Sequence, residues 1–177
     1  MANGAFTAHV ASEVAKRKKV MLAIRNEAAQ RTVEAMQEPG PSMATTKKAI
    51  AIGVGLGKLK ANGARGVSKR AFGPVRSGGA GHLPIDTGFL RSSLVALNGR
   101  QTPAQIKAPE GGGTFTYDEG QVTLVIASAA LSNPITVAYS AIYARKMEAR
   151  YRFVSLAAQQ WQRIVDETTR DAQARMR

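Results

Sequence analysis

Residues 39–85 carry eight basic side chains (Lys47, Lys48, Lys58, Lys60, Arg65, Lys69, Arg70 and Arg76) and no aspartate or glutamate. The same window holds ten of the 17 glycines, among them Gly53, Gly55, Gly57 and the pair Gly78-Gly79. Glycine inside a helix or strand costs roughly 0.5–1 kcal/mol relative to alanine, so the window reads as loop, with one short regular element near residues 47–56. Loops of this length are unusual inside a compact domain and go with function or with ordering against a partner. The plan that follows is a body built from the residues on either side, with 39–85 as a basic Gly-rich arm; a merely solvated linker is the alternative. At 177 residues the chain has the length of one domain, read here as 1–177.

Composition narrows the chemistry. A hydrophobic fraction of 44% supplies a core and argues against disorder of the whole chain. Without cysteine there is no disulfide, thiolate zinc site or cysteine nucleophile. The two histidines, His9 and His82, are too few and too far apart in sequence for most catalytic or metal constellations. No apolar run approaches the roughly 18 residues of a membrane span. The basic cluster at residues 16–19 follows the first apolar residues, the wrong order for a signal peptide. The expectation is a basic protein, net charge +13, made in the cytoplasm and needing no cofactor.

Periodicity predicts an α+β fold. Val10, Val14, Met21, Ala28 and Met36, widened by Leu22, Ile24 and Val33, predict one long helix over residues 6–37, capped by Thr7 and ended by Pro39-Gly40-Pro41. The run Lys16-Arg17-Lys18-Lys19 covers more than one face and reads as solvated surface. A short helix follows the arm over residues 86–94, with Asp86 as N-cap and Phe89, Leu90 and Leu94 as its buried face. Residues 114–117, the turn Asp118-Glu119-Gly120 and the β-branched stretch 121–127 predict a hairpin. Residues 135–138 predict another strand, at an edge because Pro134 precedes it. Two helices end the chain, over 139–149 and 153–176. The expected architecture is a long N-terminal helix, a small antiparallel sheet and C-terminal helices, with the arm as an insertion.

The catalytic motifs fail on their own terms. Gly53-Val54-Gly55-Leu56-Gly57-Lys58 lacks both the first glycine and the final Ser/Thr of a phosphate loop, and Lys58 stands where a dinucleotide fingerprint needs its third glycine. His82, Asp86 and Ser92 have triad residue types without a nucleophile elbow. Asp118-Glu119 is explained as turn. The chain reads as a non-enzyme.

The segment Leu83-Pro84-Ile85-Asp86-Thr87-Gly88-Phe89-Leu90-Arg91-Ser92-Ser93-Leu94 resembles the tail-completion, or head–tail joining, proteins of long-tailed bacteriophages. That family carries Pro-x-Asp-Thr-Gly-x-Leu-Arg-x-Ser after an N-terminal helix, then strands, a Tyr-Ala-x-x-x-Glu segment and a C-terminal helix. Tyr143-Ala144-Arg145-Lys146-Met147-Glu148 matches the second segment, and order and spacing agree over residues 84–161. The chain departs from the pattern in its long arm, and in continuing Ala149-Arg150-Tyr151 where the family often has glycine. The resemblance implies structural roles for Asp86, Thr87, Gly88, Leu90, Arg91, Tyr143, Ala144 and Glu148. It implies a virion protein of the neck or head-proximal tail end, assembling as a homo-oligomeric ring with tail terminator, stopper or adaptor rings as neighbours. Genomic DNA would pass through the centre, and the eight arm cations become candidate contacts to partner or DNA. The alternative is a nucleic-acid-binding accessory protein without sequence preference. Against it, Phe72 is the arm's only aromatic. A membrane-surface helix over residues 6–37 is disfavoured by its interspersed acids.

Overall fold

Thirty-six residues, Ala2–Gln37, form one helix, α1. At about 1.5 Å per residue it is roughly 54 Å long. A body of this size is only some 30 Å across, so the helix outruns what the body can cover. The computed structural model describes residues 2–39, 81–84, 87–110 and 112–176. After α1 come α2 (Phe89–Ser92), β1 (Leu94–Asn98), α3 (Glu119–Ser128), β2 (Ile135–Tyr139), α4 (Ala144–Tyr151), α5 (Phe153–Gln159) and α6 (Trp161–Arg175). The strands pair antiparallel, Leu94 opposite Tyr139 and Asn98 opposite Ile135. The fold is the expected α+β, with a long N-terminal helix, a two-stranded sheet and C-terminal helices.

One core cluster joins the C-terminal half of α1 (Val33, Met36) to the sheet (Leu94, Ala96) and to α3 (Val122, Ile126). A second gathers Leu83, Phe89, Leu90, Ala144, Tyr151 and Phe153. Tyr139 links them. Its ring meets Phe153 edge-on at 5.1 Å, and its hydroxyl donates to the Met36 carbonyl at 2.9 Å. That carbonyl lies in the last turn of α1, where helical partners run out. Arg25 serves the end of α3 in the same way, donating to the carbonyls of Ala129 at 2.5 Å and Ala130 at 2.7 Å.

The two ends of the basic window meet. The Leu83 N–H donates to the Glu38 carbonyl at 2.9 Å, and Pro39 and Leu83 form a parallel bridge. Leu83 is fully buried there. Residues 39 and 83, near the two ends of the window, thus lie side by side. The eight arm cations, the element expected near 47–56 and Asp86 itself lie outside the described residues.

Five local expectations are corrected. The helix expected over 86–94 is the single turn Phe89–Ser92, with Gly88 rather than Asp86 at its N-cap position, and Leu94 opens β1 because its backbone pairs with Tyr139. The helix α1 begins at Ala2, which puts Thr7 inside it rather than at its cap. The hairpin over 114–127 is instead an irregular stretch followed by α3. The Asp118 carboxylate accepts from the Gln121 N–H at 3.2 Å as N-cap, and Val122 and Ile126, one turn apart, both face the core. Capping and burial outweigh the β preference of Val-Thr-Leu-Val-Ile. The helix expected from Tyr139 starts only at Ala144, because sheet pairing claims Tyr139 and the Ser93 carbonyl accepts from the Ser140 N–H at 2.8 Å. The last helix is two helices. A tight turn, closed by Gln160 N–H to the Ala157 carbonyl at 3.0 Å, realigns α6 along α1.

Candidate functional site

Thr87 and Gly88 form a joint. Gly88 has φ +83°, and a Cβ there would lie 2.4 Å from the Phe115 carbonyl oxygen. Only glycine lets the two backbones pass so closely. The Phe115 N–H donates to the Thr87 carbonyl at 3.0 Å, the Phe115 ring meets Phe89 edge-on at 5.1 Å, and the Phe89 N–H donates to Thr87 Oγ1 at 3.4 Å. Leu90 is buried, and Tyr143 stacks obliquely 6.1 Å from Phe89. Ala144, also buried, opens α4.

Glu148, on α4, reaches across the next turn. Its carboxylate accepts from the Val154 N–H and the Ser155 N–H, each at 2.9 Å, and from the Ser155 hydroxyl. These are unpaired donors at the start of α5, and a carboxylate also suits the positive helix end. The intervening Arg152 is left-handed, φ +55°. Glu148 thus fixes the angle between α4 and α5.

The third feature is a hollow of about 490 Å³ between the end of α1, Arg91, Tyr117 and α3. Its apolar floor is Val33, Val122 and Ile126, and its rim carries Glu34, Glu38 and Glu119. Three buried polar atoms at its wall have no hydrogen-bond partner: Gln37 Oε1, Arg91 Nε and the Tyr117 hydroxyl. Gln37 is 4% exposed, yet its amide nitrogen alone is paired, donating to the Arg91 carbonyl at 3.3 Å. The Arg91 guanidinium lies 5.8 Å from the centre of the Tyr117 ring, a cation–π arrangement. Burial, with the Glu119 carboxylate adding to it, raises the Tyr117 phenol above its ordinary range, so it stays protonated. Arg31, also at the rim, is engaged by Glu27 at 2.6 Å and Asp171 at 3.0 Å. The hollow therefore has an excess of acceptors and of negative charge.

The fourth feature is the free half of α1. Phe6 is 72% exposed and Met21 56%, and Val10 and Val14 are also exposed. The apolar stripe of the sequence is real, but the body buries it fully only from Ala28 onward. The cations Lys16, Arg17, Lys18 and Lys19 decorate this half, with Lys16 held by Glu13 at 2.8 Å.

Thr87, Gly88, Leu90, Tyr143, Ala144 and Glu148 thus act as joints of the body, while Arg91, alone among the described motif residues, opens onto the hollow. Sequence reading missed Gln37, Tyr117, Glu34, Glu38 and Glu119. Nothing in local pattern marks them, since helix α3 brings three of the elements together. Ser92 spends its hydroxyl on the Phe89 carbonyl at 3.1 Å, and His82 Nδ1 stands 3.9 Å from a Glu38 oxygen. Among the described residues no cluster of three His, Asp or Glu side chains could hold a metal ion, and no helix is long and apolar enough to cross a membrane. No family model, curated protein or solved structure matches the chain.

Proposed function

We propose that this protein is a structural, non-catalytic component of a phage-type particle, assembling as a ring at the neck or head-proximal tail end and joining head to tail around the DNA channel. The observation that carries the reading is the uncovered half of α1. A helix that exposes Phe6, Val10, Val14 and Met21 on five free turns has an apolar face made for another protein. The resembled motifs support the reading, because Gly88 and Glu148 set joints of the body rather than a reaction centre. Neighbouring rings would supply the contacts that order the arm, and a net charge of +13 suits a surface beside DNA.

The test is genetic and physical. Deleting the gene from its parent phage should leave filled heads and finished tails that are separate or unstably joined. Complementation by the full-length protein should restore joining. Stable, infectious particles in normal yield from the deletion would overturn the assignment.

The basic run on the exposed helix favours a second reading, non-specific nucleic-acid binding. It requires duplex affinity that falls steeply with salt and protection of the arm from protease by DNA alone. The neck reading requires that protection to come from the neighbouring ring proteins.

A further inference from the structure

We propose that the free half of α1 seats in the α1–α3 hollow of a second copy of the same chain. The proposal rests on the assembly reading above and names the surface that reading needs. Both halves of the contact are on one molecule, and each lacks what the other has.

The plug is defined by helical spacing. Phe6, Val10, Glu13, Val14 and Arg17 recur every three or four residues and so lie along one side of α1. This side offers apolar anchors at its start, then one acid and one base. The socket has a floor of Val33, Val122 and Ile126 and a volume of about 490 Å³, ample for an aromatic side chain. Its unpaired Gln37 Oε1 accepts only, and an incoming guanidinium or ammonium would satisfy it. Buried polar atoms without partners are costly, so filling them favours the bound state.

Charge decides which cavity is used. The free half of α1 carries four cations against Glu13. A second groove, of about 620 Å³, is lined by Arg25, Arg100, Leu131 and Trp161 and has no acid. It is more apolar but repels a basic helix. The first hollow sets Glu34, Glu38 and Glu119 against Arg91 and against Arg31, which Glu27 and Asp171 already engage, so it stays acidic and attracts the helix.

The test uses the full-length protein in sedimentation equilibrium across concentration. Wild type should associate. Phe6→Asp with Val10→Asp changes exposed positions and should raise the midpoint concentration about 30-fold or more, as removal of anchor residues does. Glu34→Lys with Glu119→Lys, also exposed, should weaken association by about 10-fold or more. Circular dichroism of each variant should match wild type. The decisive arm mixes the two variants. One keeps its socket and the other its plug, so they should form a one-to-one pair that grows no further.

Wild type that stays monomeric to roughly 100 μM, a concentration that detects even weak self-association, would overturn the contact. So would a socket variant that associates like wild type, or a mixture that does not pair. The neck reading fails separately. Wild-type association that stops at a two-fold dimer keeps the contact and removes the ring, while a deletion phage that joins heads and tails normally removes the neck role alone.

Discussion

Replacing Gly88 with alanine should be among the most damaging single-methyl changes this chain can take, and Gly99 provides the control. Both glycines are left-handed, φ +83° and +95°, so alanine at either meets the backbone penalty of that region, about 1–2 kcal/mol. Part of it is offset by the roughly 0.4–1 kcal/mol that alanine contributes by restricting the unfolded chain. At Gly99 nothing lies within 4 Å of the new methyl, and the account ends there. At Gly88 the methyl would stand 2.4 Å from the Phe115 carbonyl oxygen, a backbone atom that cannot rotate away. The strand of chain around Phe115 must retreat by about 1 Å to restore ordinary contact. That strains the Phe115 N–H bond to the Thr87 carbonyl, worth about 1 kcal/mol, and the edge-on contact of Phe115 with Phe89, worth about 0.5–1.5 kcal/mol. The expected loss is about 3 kcal/mol for Gly88→Ala against about 1 kcal/mol for Gly99→Ala. For a chain of this length that corresponds to a fall in Tm of roughly 6–12 °C and 2–4 °C. Urea unfolding followed by the single tryptophan, Trp161, together with circular dichroism gives both values and checks that the slope is unchanged. Equal losses at the two positions would refute the close approach of Gly88 to Phe115 and the account of the motif built on it.

Glu148→Ala removes the acceptor for two N–H groups and a hydroxyl at the start of α5, and should cost about 2 kcal/mol in urea unfolding, with Glu148→Gln losing about half as much; no loss in the alanine variant would mean that α5 is capped by something else. Stability should be insensitive to Tyr139 from neutral pH to about pH 9 and then decline as pH passes the ordinary tyrosine value near 10. Burial holds this phenol protonated well above that value in the folded state, so only the unfolded chain releases its proton there. Tyr139→Phe should be less stable at neutral pH by about 1 kcal/mol, for want of the bond to Met36, and should show a shallower alkaline decline. Urea midpoints measured between pH 7 and 11 check both statements.

Long, repetitive signals decided much of the fold at the level of sequence. The α1 stripe, the proline-rich stop after it and the apolar spacing Phe89-Leu90-Leu94 are each local, and Ala28, Met36, Phe89, Leu90 and Leu94 are all buried, although Leu94 is buried in β1 rather than on a helix and Val10, Val14 and Met21 stay exposed. The basic window between residues 39 and 85 is likewise a fact of composition. Tertiary structure decided what local pattern leaves open. The stretch Val122–Ile126 satisfies both a strand and a helix template, and the Asp118 cap with a core on one side selects the helix. Tyr139 has helical spacing with Ile142 and Tyr143, but the strand Leu94–Asn98 offers it backbone partners, and pairing wins. The same applies to sites. Gly88 and Glu148 belong to short motifs visible in the sequence, whereas the hollow exists only because α1, Arg91, Tyr117 and α3 converge from four separate stretches of chain. Hydrophobic periodicity says which face of α1 seeks burial; only the size of the body decides that half of that face is left exposed.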